Sequence, residues 1–287
     1  MQDKYTATWV SHTSISDFLN CPQSYYYKHV YRDPATNHKI KLVSPPLSLG
    51  TAVHEVVEEL SRLPVDTRFS KSLIDRLETT WQKYSGKKGG FLSMEVENEY
   101  KKQGYAMLER LTKHPGPLKN LAVKIKQQLP YFWLSEKDNI ILCGKIDWLE
   151  YLKVSDSVHI IDFKTSQSEE SPSSLQLPIY HLLATNCQPR PVTRTSFWYI
   201  RTSDKPKEQK LTKPEKVKSH ILKIAKEIKL ARQLERFKCK QGKHCSSCNP
   251  MKAIVEGHAT FVGNDEYNAD LYILDKSKDT KNTSEIL

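Results

Sequence analysis

The chain reads as an α/β protein: a central mixed β-sheet flanked by helices, with a helical insertion at about residues 61–135. Three observations predict this. Val53, Val56, Val57 and Leu60 recur at helical spacing, as do Leu73, Leu77 and Trp81. The apolar runs Ile140–Asp147, Val158–Phe163 and Thr195–Ile200 read instead as strands. Helical patterns return at Leu175–Ala184 and Lys213–Arg236, so strands and helices alternate and the sheet is expected to be covered by helices.

Taken in order, Ser14-Ile-Ser-Asp17 has the form of a capping box, with an acid three residues after the cap, and predicts a short helix that Pro22 interrupts. Residues 33–48 hold prolines and turn formers with little periodicity and read as a loop. A helix follows over Leu49–Leu60. Residues 70–130 read as mostly helical, with a second stripe over Glu95–Leu111 that His114-Pro-Gly-Pro117 closes. In the Leu175–Ala184 helix, Pro178 is tolerable only in the first turn. Lys213–Arg236 places Val217, Ile221, Ile224, Ile228 and Leu230 on or near one face of a long basic helix. Residues 276–287 are polar and charged and are expected to be disordered. There are no internal repeats.

With 287 residues, 38% hydrophobic and 27% charged, the composition is that of an ordinary soluble globular protein. No apolar run approaches the roughly 18 residues of a membrane span, and Met1–His12 lacks the apolar stretch of a secretory leader. A cytoplasmic location is the expectation. The net charge of +11 is uneven: Arg201–Lys243 holds 15 Lys or Arg against 5 Asp or Glu. Such a field suits a polyanionic partner, and equally a solvated helix face.

The densest chemistry lies in Gly144-Lys-Ile-Asp147 and Ile161-Asp162-Phe163-Lys164. Residues two apart in a strand share a face, so Asp162 and Lys164 point together while Ile161 and Phe163 point into the core. If the two segments form an antiparallel hairpin centred between Val154 and Ser155, Asp147 falls opposite Asp162. Two carboxylates held together favour a hard divalent cation between them. Such an ion polarises a phosphoryl oxygen and activates water, and Lys164 would orient that water or stabilise charge on the phosphate. The bland alternative is a surface hairpin carrying an Asp–Lys pair.

In this order and spacing the residues resemble the PD-(D/E)XK nuclease superfamily, in the branch of the RecB C-terminal nuclease domain and the CRISPR-associated exonucleases of spacer acquisition. The resemblance rests on six blocks. They are Ser14–Pro22 with Tyr25–Tyr27, Leu49-Gly50 through His54-Glu55, Gly144–Asp147, Ile161–Thr165, Gln176–Tyr180 and Cys245–Cys248. It implies a restriction-endonuclease-like core, with residues 1–275 forming the nuclease domain. It implies that His54, Asp147, Asp162 and the Phe163 carbonyl hold Mg2+ or Mn2+. Lys164 becomes the catalytic lysine, and Gln176 and Tyr180, one helical turn apart, contact DNA or position Lys164. The Tyr25–Tyr27 run is expected to pack rather than to stack on bases.

Iron–sulfur members of the family use one N-terminal cysteine and three near the C-terminus. Cys21-Pro22 and Cys245-x2-Cys248 match, but the last expected ligand position is occupied by Ile254. Cys239, or less favourably His244, would replace it. Cys21, Cys239, Cys245 and Cys248 would then hold a four-iron four-sulfur cluster or a structural Zn2+, and free thiols without metal are the remaining alternative. Cys143 and Cys187 read as core residues. The resemblance implies a metal-dependent deoxyribonuclease, first of all a single-strand-preferring exonuclease in DNA repair, recombination or related processing, with the basic 213–240 segment as its backbone track. A catalytically inactive nucleic-acid-binding module of the same fold is the alternative. No helicase motif is present, so any unwinding would need a partner protein.

Overall fold

The computed structural model describes residues 3–274; the tail at 276–287 lies outside them. Strand β1 (Thr8–Val10) leads into helix α1 (His12–Asn20). The helix starts earlier than Ser14-Ile-Ser-Asp17 suggested. Its capping box is formed by Ser11 and Ser14, each side chain accepting from the other's backbone N–H. A serine at the third position does what the pattern assigns to an acid, and Asp17 instead pairs with Lys28 and His29. Pro22 opens the short α2 (Pro22–Tyr25), which runs into a π-helical turn at Tyr26–Val30. Tyr25 is buried, and Tyr26 packs on Phe237, so these tyrosines do pack.

The expected loop at 33–48 contains β2 (Ile40–Leu42) and the first turn of α3 (Pro45–Leu60). A three-residue strand is too short to show a period. Pro45 and Pro46 occupy the helix's first turn, where a missing N–H costs nothing. Helices α4 (Leu73–Trp81) and α5 (Met94–Lys113) follow, the latter capped by Ser93. The stretch from 131 to 135 is not helical: it is β3 (Tyr131–Ser135).

The expected strand at 140–147 stops halfway. β4 (Ile140–Cys143) ends before Gly144, and β5 (Trp148–Leu152) begins after Asp147. At Gly144 an added Cβ would lie 2.9 Å from a Leu183 methyl, so the glycine lets the chain cross close over its neighbour. β6 (Ser157–Lys164), α6 (Gln176–Cys187) and β7 (Val192–Tyr199) come next, with Pro178 in the first turn of α6. β8 (Lys207–Gln209), α7 (Pro214–Gln233), α8 (Asn249–Val255), β9 (Ala259–Asn264) and β10 (Asp270–Leu274) complete the described chain.

Among the described residues there are three small mixed sheets instead of one continuous sheet, ordered β1-β4-β3, β2-β10-β9 and β5-β6-β7-β8. The helices flank them, giving a mixed α/β architecture of the restriction-endonuclease-like kind. β6 is central to its sheet: antiparallel to β5 and parallel to β7. Its two faces feed two cores. Ile160 packs with Ile179, Leu183 and Ile221 of α6 and α7. Ile161 and Phe163 pack with Val53, Val57, Leu108 and Trp198 on the side of α3, α4 and α5. Asp162 and Lys164 therefore face α6, and the strand that carries them is clamped by apolar burial on both sides.

Candidate active site

The β5–β6 register pairs Trp148 with Ile161. Asp147, one residue before β5, thus sits at the level of Asp162, as the hairpin argument required. Asp162 is 1% exposed. Its Oδ1 accepts from Gln176 Nε2 at 2.7 Å, and Gln176 Nε2 also reaches the Tyr180 hydroxyl at 3.2 Å. Gln176 Oε1 accepts from Lys164 Nζ. One side chain from the first turn of α6 therefore bridges the acid and the amine, and the spacing of four residues brings Tyr180 to the same place.

Lys164 Nζ lies 2.9 Å from Asp162 Oδ2 and 3.2 Å from Glu170 Oε1. The first contact is close enough for an ion pair, but its angle leaves Oδ2 without an aligned hydrogen bond. Burial opposes the charge on Lys164, yet Asp162 and then Glu170 hold its pKa above the usual value. Burial, and then the charge of Asp147, push the Asp162 carboxyl up to about 7. Tyr180 is raised as well, by burial and then by the two carboxylates.

His54 reaches the site from α3. Gly50, one turn earlier, permits the close approach: a Cβ there would stand 3.2 Å from Thr165 Oγ1, just beyond β6. His54 Nδ1 is 3.3 Å from Asp147 Oδ2, which also accepts the Phe163 N–H at 3.0 Å. Burial opposes protonation of His54, but the Asp147 carboxylate outweighs it and raises the imidazole's pKa. His54, Asp147, Asp162, Phe163, Lys164, Gln176 and Tyr180 all line one open pocket of about 350 Å3.

The donor set fits a hard divalent cation in kind: two carboxylates, an imidazole, and a buried carboxylate oxygen with no aligned donor. Its spacing is loose. Among the described residues, the one group of three or more His, Cys, Asp or Glu donors within 4.8 Å of one another is the cysteine quartet, not these three.

Two neighbours were not foreseen. Glu170 sits in the loop between β6 and α6, its backbone N–H bonded to the Tyr199 hydroxyl at 2.9 Å. His12, at the start of α1, lies in the field of Lys164 and Glu170, and burial and then Lys164 hold its pKa down. Neither carries a sequence signal, because one lies in an irregular loop and the other follows a serine cap that reads equally well as structure.

The second constellation is the quartet Cys21, Cys239, Cys245 and Cys248, whose sulfurs all lie within 4.8 Å of one another. Cys21, Cys245 and Cys248 are buried, and no disulfide links them. Ser24 Oγ donates to the Ser247 carbonyl at 2.8 Å and pins the two segments together. Burial raises the Cys245 thiol, but the backbone N–H of Cys248 and further donors overcome it and bring it down to about 7. Ile254 is a core residue of α8, packed with Ile40 and Met251. Cys143 and Cys187 are half-buried, and burial pushes the Cys143 thiol up to about 11.

A family model described as the PD-(D/E)XK nuclease superfamily matches residues 9–253. The chain belongs to that superfamily. No curated protein matches the chain. Among the described residues no helix is long and apolar enough to cross a membrane.

Proposed function

We propose that the chain is a divalent-metal-dependent deoxyribonuclease, and first of all a single-strand-preferring exonuclease of the RecB-like branch. The observation that supports this best is the Asp162–Lys164–Gln176–Tyr180 network facing His54 and Asp147 across one pocket. His54, Asp147, Asp162 and the Phe163 carbonyl would hold Mg2+ or Mn2+, which when bound polarises the phosphoryl oxygen and activates water.

The chain's own residues do the rest. Gln176 fixes the Asp162 carboxylate by its amide N–H and the Lys164 ammonium by its carbonyl oxygen, so neither rotates away. Lys164 supplies positive charge where charge develops on the scissile phosphate. An ammonium has three N–H donors, and those of Lys164 face Asp162, Glu170 and Gln176. A phosphate oxygen therefore engages Lys164 by displacing Glu170, its most distant and most exposed partner.

The quartet is proposed to hold metal. The family resemblance favours a four-iron four-sulfur cluster. The sulfur spacing favours one tetrahedral Zn2+, because a Zn–S bond of about 2.3 Å places sulfurs roughly 3.8 Å apart. Elemental analysis of the protein as isolated separates the two. A cytoplasmic location, a role in DNA repair or recombination and a helicase partner belong to the same reading.

The test is cleavage of end-labelled single- and double-stranded DNA with Mg2+, Mn2+ or EDTA, by the wild type, Asp162→Ala and Lys164→Ala. Metal-dependent cleavage, lost in both variants, is expected. A folded wild type that binds DNA without cutting it would instead indicate an inactive binding module.

A further inference from the structure

The active-site pocket adjoins a larger groove of about 920 Å3 at Asp147, which lines both. One wall is the second half of α3. Its acids are already neutralised: Glu55 pairs with Lys83, Glu58 with Arg62 and Lys145, and Glu59 with Arg76. Glu266, also in the lining, lies in the field of Lys83. The groove is also lined by the segment 123–130, which contains no acid. Its Lys124 and Lys126 are exposed and have no ion-pair partner among the described residues.

The groove is lined as well by Tyr267, 77% exposed, on the turn between β9 and β10. Tyr267 also lines the next depression, of about 430 Å3, together with Arg32, Lys39 and Lys41. Cations crowd there. Desolvation, and then the charges of Arg32, Lys41 and Arg232, hold Lys39 below the usual lysine range. Lys41 is neutralised by Asp265, whose charge also reaches Lys39, but Arg32 and Lys39 form no ion pair among the described residues.

The geometry points to this path as the track of a single nucleic-acid strand. The strand leaves the carboxylates at Asp147, its phosphates lie along Lys124 and Lys126, a base stacks on Tyr267, and the next phosphates meet Arg32 and Lys39. Positive side chains along a groove with an exposed aromatic ring form the arrangement that holds single strands without reading sequence. The basic helix α7 is a weaker candidate despite its charge. It packs its apolar face on α6, and none of its residues lines the site pocket or the groove. The inference rests on the nuclease reading for where the strand is cut, and not for where it binds.

The test is fluorescence anisotropy of a labelled 15-nucleotide single strand in EDTA, which reads binding without cleavage. The variants are Lys124→Glu/Lys126→Glu, Tyr267→Ala and Arg32→Glu, with Lys218→Glu/Lys223→Glu on α7 as the control pair. The groove pair should weaken binding by about 10-fold or more. It should also reduce the slope of log K against log salt by about 1.4, for two phosphate contacts on a single strand. Tyr267→Ala should weaken binding with little change in that slope, and the control pair should stay within about twofold of the wild type. If the groove pair melts abnormally, Lys124→Gln/Lys126→Gln replaces it. An α7 pair that weakens binding as much as the groove pair would overturn the assignment. So would a groove pair that binds normally, a duplex of the same sequence that binds more tightly, or a wild type that binds no single strand. A wild type that binds through the groove yet never cuts would defeat the nuclease reading alone.

Discussion

Asp162→Asn should make the metal-free protein more stable while abolishing cleavage, and the gain should grow with pH. Burial and the Asp147 charge raise the Asp162 carboxyl to about 7 in the folded state, against roughly 3.9 in the unfolded chain. A folded-state pKa that is raised contributes stability below the unfolded value and loses it as pH rises toward the folded one. Integrated over that window, ionising Asp162 costs the folded state about 1–2 kcal/mol at pH 5 and about 4 kcal/mol at pH 8. Asparagine keeps the shape and carries no charge, so the variant escapes that loss. The side chain is nearly fully buried, so solvent screening does not shrink the figure. Urea unfolding of wild type and variant in EDTA, from pH 5 to pH 8, should show the gap widening by about 2–3 kcal/mol. Adding Mn2+ should then stabilise the wild type more than the variant, since ligation to the folded state adds stability by mass action. Two unfolding curves that stay parallel across this range would refute the argument that Asp162 is a charge held against its environment.

Glu170→Gln keeps a hydrogen-bonding group beside Lys164 but removes the competing carboxylate; KM for DNA should fall with kcat little changed, and a raised KM in steady-state cleavage would count against displacement of Glu170 by phosphate. Cys245→Ser should lower the bound iron or zinc found by elemental analysis and destabilise the protein by several kcal/mol, because binding energy at a structural metal site is folding energy; unchanged metal content would remove the quartet from that role. Glu150 is buried against His159 and Asn120 at 2.7 and 2.6 Å, and although burial opposes it, His159 and then Asn120 hold its carboxyl below the usual range. Its contribution is therefore present above the unfolded carboxylate pKa and lost as pH falls through the folded one; Glu150→Gln should cost about 1–3 kcal/mol at pH 7 by urea unfolding, and an unchanged midpoint would contradict it.

The centre of the site was legible because its logic is local. Alternation along β6 set which side chains share a face, and the Val154–Ser155 midpoint reproduced the observed register. Helical spacing put Gln176 and Tyr180 on one face, and the family resemblance supplied their place beside Lys164 and the need for a fourth sulfur that Cys239 would fill. What escaped depends on partners far along the chain. β1 and β2 are three-residue strands that exist because β4 and β10 lie beside them. The break at Gly144 answers to Leu183 on α6, which no strand pattern can report. Ser14 took the role of an acid in its cap, so the box was placed three residues late. Glu170 reaches Lys164 only because the Tyr199 hydroxyl holds its loop, a tertiary contact with no periodicity to reveal it.

The joining of early and late segments has a consequence for the chain as it is made. Ser24 waits for Ser247, 223 positions on; Cys21 waits for Cys245 and Cys248, and β2 for β10. At ribosomal speeds that interval lasts roughly 10–50 s. In the last part of it the strands β5, β6 and β7, with α3 and α6 against them, already have all their own residues. The carboxylate site can thus assemble while Cys21 is still an unliganded thiol and β2 an open edge. That interval is when a growing chain is most exposed to oxidants, to the wrong metal and to pairing with a neighbour on the same message.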